Sequence, residues 1–268
     1  MVSPPPPVAR GPEPGPLNYV VTMGSKLHPP DPRREWVPRQ RLVQRLADGH
    51  GKLVLVHAPA GFGKTITVAQ WRAVDSENRV FAWVSLDQGD DDPVRLWWHI
   101  VSSLQLACPS LGGEDLLGLL RVQVPDISGR LVPSLANALA GLLERVVLVL
   151  DDYHLLRERR CHEQIELLLA NMMPPARIVI ISRTTPPLQL ARLRAAGDMT
   201  EIAMSELRFT PEEAAGLIGA VAASPSTSSG SSPARRSSTG SRRRCVTPWR
   251  ERRTRPRSST CSNGTTCS

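Results

Sequence analysis

The sequence LVLVHAPAGFGKT, residues 53–65, decides the fold. Residues 53–56 have the length and apolar character of a buried parallel strand, and the chain from Gly63 onward continues at helical spacing. Between them, Ala60 and Gly61 allow a tight turn, so that successive N–H groups and the positive end of the helix point into one anion-sized hollow. The stretch therefore predicts a phosphate-binding loop between a strand and a helix.

Two side chains at the end of this stretch extend the prediction to a nucleotide and a metal ion. Lys64 would add a full charge at the β/γ-phosphates, and the Thr65 hydroxyl would ligate Mg²⁺. The pattern G-x-x-x-x-G-K-[ST] has Gly at its first position, where this chain has Ala58, which fits if its φ is negative. A chance Gly-Lys-Thr in a surface loop is the alternative, but strand, loop, Lys-Thr and helix follow in the required order. The predicted nucleotide-binding residues are Ala58, Pro59, Ala60, Gly61, Phe62, Gly63, Lys64, Thr65 and Ile66.

A second stretch, VVLVLDDYHLL at 146–156, places two carboxylates after a run of five apolar residues. This is typical of a buried parallel strand whose C-terminal end carries Asp151 and Asp152, and ligands bind at that end of open α/β sheets. Asp151 can hold Mg²⁺ from across the loop, and Asp152 can orient or deprotonate an attacking water. The alternative is that the two aspartates only cap the next helix.

A further strand is predicted in ARIVIISR, residues 176–183, which ends in Ser182 and Arg183. If this strand lies beside the first one, Arg183 would face the γ-phosphate. The alternative is an arginine in solvent after a strand end.

The remaining pattern alternates helices with strands and therefore predicts an α/β fold with a parallel sheet between helical layers. Asp-rich GDDDP (89–93) is typical of a turn and helix N-cap, with Pro93 at the first helical position. We expect His99 in the helix that follows to be a packing or surface residue. Further strands are predicted at 79–87 and 199–204, and helices at 41–49, 94–107, 128–144, 162–173, 186–197 and 210–221, whereas 109–127 gives no clear pattern.

The charge of the chain is uneven. Its net charge is +8, but residues 224–268 contain ten Arg and one Glu, so residues 1–223 sum to −1. The positive charge therefore lies in residues 224–268, and the charge of the predicted folded part does not indicate nucleic-acid binding. The five cysteines form no CxxC or metal-ligand spacing. No apolar run approaches the ~18 residues of a membrane span, and the N-terminus lacks the charged region and apolar core that indicate a signal peptide, so we expect a cytoplasmic protein.

Together these residues resemble the large ATP-binding regulators of the LuxR class, of the maltose-regulator (MalT) type, within the STAND group of P-loop NTPases. The resemblance covers residues 26–223 almost without a gap, and the family tolerates alanine at the first loop position. It is carried by the strings KLHPP, WVPRQRLVQRL, LVLVHAPAGFGKT, AWVSLDQGDDDPVRLWWHIVSSL, VVLVLDDYHLL, IVIISRTTPPLQLARLRAAG and ELRFTPEEAA.

The resemblance implies an ATP/ADP switch that acts as a slow ATPase at most. In such proteins ATP holds an open, oligomerising form, and slow hydrolysis returns a closed ADP form. Val37 and Arg39 match the motif on the adenine side, and Arg183 matches the γ-phosphate sensor. The implied Mg²⁺ ligands are Thr65 and Asp151, with Asp152 as the water-orienting acid.

The family's later domains have no counterpart in this sequence. We expect a disordered leader at 1–25, the NTPase domain at 26–205, the start of a helical lid at 206–223 and a disordered tail at 224–268. Without a helix-turn-helix, specific DNA binding is not expected. The tail is either a basic segment that binds nucleic acid weakly or an out-of-frame product, because moving the frame back one base turns TCN serine codons into codons for Phe, Leu, Ile or Val.

Two other functional classes remain open on the sequence. One is a standalone P-loop ATP hydrolase or kinase with measurable turnover. The other is a non-functional gene remnant that binds no nucleotide. Binding of ATP without turnover would separate the switch from both.

Overall fold

The computed structural model of the chain describes residues 24–31 and 36–216. Most of the predicted leader, residues 217–223 of the predicted lid start and the whole predicted tail lie outside the described residues.

The described residues form one sheet of five parallel strands in the order β2-β3-β4-β1-β5. The predicted parallel sheet is therefore confirmed, and the condition set for Arg183 is met because β4 pairs directly with β1. Since parallel strands end at the same edge, the residues that follow β1, β3 and β4 lie side by side. The strands are β1 Leu53–His57, β2 Val80–Ser85, β3 Val146–Asp151, β4 Arg177–Ser182 and β5 Met199–Ile202.

Helices connect these strands. Short 3₁₀ turns at Gly24–Leu27, Gln88–Asp91, Pro109–Leu111 and Tyr153–Leu155, with a π-type turn at Ile127–Leu131, lie between the longer elements. The longer helical elements are α1 Gln40–Asp48, α2 Lys64–Val74, α3 Pro93–Ala107, α4 Gly113–Leu120, α5 Val132–Ala140, α6 Arg159–Asn171, α7 Leu190–Ala195 and α8 Met204–Leu207. Residues 211–216 are also helical.

The three central strands β1, β3 and β4 are buried on both faces, as their continuous apolar runs require. Alternate residues of each strand enter one of two apolar cores, so that Leu55 and Val84 lie on one side of the sheet and Val56 and Trp83 on the other. Helices α3 to α6 supply the first core, whereas α1, α2 and Leu207 supply the second. This is the expected three-layer α/β arrangement, with the loop helix α2 on the second face.

The structure differs from the sequence prediction between β2 and β3. The helix predicted at 128–144 is shorter, because a π-type turn precedes it and α5 ends at Ala140. Pro133 is the second residue of α5, where the missing N–H costs little since the first-turn N–H groups have no helical partner. Helix α4 was not predicted at all. The 3₁₀ turn at Gly24–Leu27 was not predicted either.

Candidate functional site

The loop after β1 has the backbone that an anion-binding turn requires. Gly61 has φ 85° and Gly63 has φ 71°, both in the left-handed region that favours glycine. Gly63 is the N-cap of α2, which begins at Lys64. Among the described non-glycine residues, positive φ occurs at Asn78 and Asp152, so Ala58 satisfies the condition set for it. The exchange of Gly for Ala at the first loop position therefore leaves the turn intact.

The Lys64 side chain binds the backbone of its own loop. Its Nζ donates to the carbonyl oxygens of Ala58 at 2.8 Å and Pro59 at 3.0 Å, and the residue is buried. Burial lowers the pKa of Lys64, while the nearby carboxylates of Asp152 and Asp151 act in the opposite direction. A buried ammonium whose hydrogen bonds go to carbonyl oxygens is a group that a phosphate would stabilise further.

The two predicted metal ligands, Thr65 and Asp151, lie next to each other. The Thr65 hydroxyl donates to Asp151 Oδ1 over 3.1 Å, and the Asp152 N–H donates to the same oxygen over 2.9 Å. Burial raises the pKa of Asp151 to about 6, and the charge of Asp152 adds to the rise. The positive charge near the Asp151 carboxylate is therefore too little to offset its burial on the side that faces the loop helix α2.

These oxygens suit Mg²⁺ by their chemistry. It prefers hard oxygen ligands and usually takes one or two from the protein, with phosphate and water oxygens completing the shell. Among residues 24–31 and 36–216, no group of three or more His, Cys, Asp or Glu side chains is arranged to hold a metal. Thr65 and Asp151 supply two oxygens, which is the small protein ligand set that Mg²⁺ takes when phosphate and water oxygens complete its shell.

Asp152 follows directly and has an unusual backbone. Its φ is 57°, in the left-handed region, and its side chain is about half exposed (49%). This conformation costs free energy for a residue with a side chain, and such strain clusters at functional sites. It directs the two consecutive aspartates into different environments, one buried and one open to water.

His154 is a residue of this site that the sequence analysis missed. Its Nδ1 lies 3.8 Å from Asp152 Oδ1, is buried, and has no hydrogen-bond partner within the described part of the chain. Burial lowers the pKa of His154, and Asp152, Arg183 and Lys64 are the charges that act on it. The signal was available in the string DDYH, where a histidine follows the carboxylates by two residues.

The end of β4 adjoins the loop. The Ala58 N–H donates to the Ser182 carbonyl oxygen over 3.3 Å, and Arg183 follows as an exposed residue. Arg183 is close enough to Lys64 to lower the pKa of that lysine. The structure thus brings the predicted arginine to the same edge as the loop and the aspartates.

The segment around Val37 and Arg39 is fixed to the loop helix. Gln70 of α2 donates from Nε2 to the Val37 carbonyl at 2.8 Å and accepts the Arg39 N–H at Oε1 over 3.0 Å. The Arg39 guanidinium points toward residues 207–213, where Nη2 donates to the Leu207 carbonyl over 2.7 Å. Gln70 was also missed, because a glutamine inside a helix carries no pattern. Of the remaining predicted residues, Pro59 and Ala60 are exposed and Phe62 and Ile66 are half-buried.

No helix in the described ranges has both the length and the apolar character needed to cross a membrane.

Comparison with known proteins identifies the domain. Among curated proteins, the HTH-type transcriptional regulator MalT of Serratia proteamaculans (strain 568) is 35% identical over 191 residues, which are 71% of this chain and 21% of that protein. The serine/threonine-protein kinase PknK of Mycobacterium tuberculosis (strain ATCC 25618 / H37Rv) is 32% identical over 200 residues, 74% of this chain and 18% of that protein. The chain thus spans about a fifth of the length of these relatives.

One solved structure is similar in part. It is a STAND (Signal Transduction ATPase with Numerous Domains) protein with a tetratricopeptide repeat sensor, from Pyrococcus horikoshii, with 19% identity and a TM-score of 0.44 over 68% of this chain and 25% of that chain. The family model of the AAA ATPase domain matches residues 39–181, more than half of the sequence. The chain therefore belongs to the AAA ATPase domain family.

Proposed function

We propose that this chain is an ATP/ADP-binding switch module of a MalT-like regulator of the LuxR family. The observation that carries the proposal is the 3.1 Å hydrogen bond between Thr65 and Asp151, beside the buried ammonium of Lys64. It joins the loop after β1 to the end of β3, which are the two sides from which a nucleotide phosphate and its metal are held in P-loop proteins.

Each predicted residue has a role in this proposal. Loop amides and Lys64 bind the phosphates, while Thr65 and Asp151 hold Mg²⁺, which would neutralise phosphate charge when bound. Asp152, open to water, orients the attacking water, and Arg183 senses the γ-phosphate. The segment that contains Val37 and Arg39 lies on the adenine side.

A switch is favoured over a standalone enzyme by the two curated relatives. One is called a transcriptional regulator and the other a protein kinase, yet both match this chain over the same kind of span. A region shared by proteins with different outputs is better explained as a regulatory module than as the source of either output. Oligomerisation in the ATP form and the lack of specific DNA binding are further parts of this proposal.

The test is nucleotide binding and turnover by the full chain and by Lys64→Ala. We expect wild type to bind ATP and ADP in the presence of Mg²⁺, and Lys64→Ala to bind about 100-fold more weakly because a charge-assisted contact is lost. Lys52→Ala is the matched control, since Lys52 precedes β1 and lies away from the loop. Isothermal titration calorimetry measures both affinities.

The same samples separate the alternatives. Turnover of about 1 s⁻¹ or more would support a standalone hydrolase or kinase instead of a switch. Absence of ATP binding by wild type would support a non-functional remnant. Equal ATP affinity in wild type and Lys64→Ala would exclude the proposed site.

A further inference from the structure

The Arg39 side chain contacts a segment that is far away along the chain. Its guanidinium is 3% exposed and makes two hydrogen bonds through Nη2, to the carbonyl oxygens of Leu207 at 2.7 Å and Arg208 at 3.3 Å. Its Nε lies 3.3 Å from Glu213 Oε2, and its Cζ lies 4.6 Å from the centre of the Phe209 ring. These contacts occupy the guanidinium on several sides.

The backbone of Arg39 is attached to the loop helix α2. Gln70 fixes residues 37–39 to α2, whose first residue is Lys64. A Cβ atom placed on Gly63 would lie 3.9 Å from Arg39 Nη1. Arg39 therefore lies between the last glycine of the phosphate loop and the 204–213 segment, which we define as α8 and the six residues after it.

Glu213 is itself fixed by the start of the helix it belongs to. The Thr210 N–H donates to Glu213 Oε2 over 3.0 Å, and the Glu213 N–H donates to Thr210 Oγ1 over 3.3 Å. This is a capping box, in which side chain and backbone satisfy each other. Because the same carboxylate oxygen accepts from Thr210 and faces Arg39, the start of the helix is oriented through Arg39.

The other arginines that contact this segment have more exposed side chains: Arg41 lies 4.0 Å from Glu213 Oε2 and is 46% exposed. Arg45 pairs with Glu206 at 3.0 Å, but its side chain is 53% exposed. Exposed ion pairs contribute little, whereas a buried arginine that loses its partner is costly. Arg39 is thus the principal charged connection between the loop and the 204–213 segment.

We propose that Arg39 is a positioning residue, which fastens the 204–213 segment against the phosphate loop and forms the base-side wall of the nucleotide site. The inference rests on the proposed function and makes it more specific: Arg39 contributes to binding of the nucleoside part through Glu213 and its neighbours rather than through a direct contact. Phosphate binding depends on the loop, the Mg²⁺ ligands and Arg183 rather than on Arg39. Coupling of this kind is reciprocal, so a bound nucleoside also holds the segment in place.

The test compares ATP with inorganic tripolyphosphate, each with Mg²⁺, on the full chain. Arg39→Ala and Glu213→Gln are each expected to weaken ATP binding roughly tenfold, in the usual range of coupling between sites. The double variant should be no weaker than the weaker single one, because both remove the same connection. Tripolyphosphate affinity should change less than about twofold, since Lys64 and the loop amides remain.

Two features of the experiment separate the expected loss of ATP affinity from an effect of misfolded variants. Glu213→Gln removes only the charge, because glutamine also fits a capping box. Arg45→Ala is the matched control: it removes another arginine contact to the same segment and should leave ATP affinity unchanged. Hydrogen exchange of residues 204–213 without nucleotide gives a second measurement, with faster exchange expected in Arg39→Ala than in Arg45→Ala.

Three results would overturn the inference while leaving nucleotide binding intact. The first is weaker ATP binding in Arg39→Ala with wild-type affinity in Glu213→Gln, which would mean that Arg39 contacts the nucleotide directly. The second is an equal loss for ATP and tripolyphosphate, which would place the effect at the loop. The third is unchanged ATP affinity or unchanged exchange in Arg39→Ala. Loss of the proposed function would appear differently, as wild-type affinity in Lys64→Ala.

Discussion

Two buried aspartates at the same edge of the sheet differ in how their charge is compensated. Asp151 ends β3, and Asp90 lies in the turn after β2, the neighbouring strand. Burial raises the pKa of Asp151 to about 6, because its contacts are a hydroxyl and an amide. Burial would also raise the pKa of Asp90, but hydrogen bonds from His99 and Lys26 outweigh it and hold that pKa at about 2.

The lysines of the two regions differ in the same way. Lys26 contacts Asp90 and lies 3.0 Å from Asp87, whereas Lys64 is bound by carbonyl oxygens of its own loop. A buried charge without a compensating partner is costly for an isolated domain. The region after β2 is therefore built for stability, and the loop region retains buried charge that is only partly compensated and that a ligand can neutralise. Each prediction below measures one side of this difference as a free energy of unfolding.

The largest effect is expected for Asp90→Asn. The substitution leaves the buried ammonium of Lys26 without its fully buried partner and weakens the 2.7 Å contact to His99. Breaking such a pair should lower the free energy of unfolding by about 3 kcal/mol, within the range for buried ion pairs and reduced by the remaining contact to Asp87. Urea unfolding at pH 7 measures the change.

Asp87→Asn is the control for this result. Asp87 contacts the same lysine, but its side chain is 48% exposed, so its loss should cost less than about 1 kcal/mol. Equal costs for the two substitutions would contradict the view that burial and pairing make this cluster structural.

A smaller effect is expected from acid. The pKa of Asp90 is lower in the folded chain than its ordinary value of 3.8, so its stabilisation is complete above about pH 4 and is lost as the pH falls toward 2. The loss attributable to this group should be about 2 kcal/mol, the free energy equivalent of the difference in pKa. Urea unfolding at a series of pH values from 5 to about 2 should show a shallower decline in Asp90→Asn than in wild type; parallel declines would argue against the assignment.

Much of this site could be predicted from the sequence because its parts are local. The glycines, Lys64 and Thr65 are consecutive, and the rule that parallel strands end at one edge brings Asp151 and Arg183 to them. The prediction therefore needed only the strand pattern and, for Arg183, the condition that its strand lies beside the first one, which the structure meets. His154 could have been included on the same basis, since it follows Asp152 by two residues.

The stabilising region could not be predicted, because its partners are distant in sequence. Lys26 and Asp90 are 64 residues apart, and Asp90 alone fits the N-cap and turn pattern expected of GDDDP. His99 was expected as a packing or surface residue, and its buried bond to Asp90 depends on the turn at Gln88–Asp91. The contacts of the Arg39 guanidinium, 168 residues from Leu207, were hidden for the same reason.

The smallest change is expected for Asp151→Asn, and its sign distinguishes the two regions most sharply. The asparagine Oδ1 can still accept from Thr65 and from the Asp152 N–H, so the two hydrogen bonds are kept. The substitution removes a buried negative charge that lies beside Asp152, at the expense of its attraction to Lys64. We expect the free energy of unfolding at pH 7 without nucleotide to be unchanged or higher by about 1 kcal/mol.

With ATP and Mg²⁺ added, wild type should become more stable to unfolding than Asp151→Asn. Wild type should gain stability from ligand binding, and Asp151→Asn should gain less because a carboxylate is the stronger Mg²⁺ ligand. Thermal unfolding with and without Mg²⁺ and ATP measures both parts, and Asp90→Asn is the comparison, since it should be less stable than wild type yet gain the same increment from nucleotide. A large loss of stability in Asp151→Asn without nucleotide would mean that its carboxylate serves the fold, as that of Asp90 does, and would remove the main reason for placing a metal beside it.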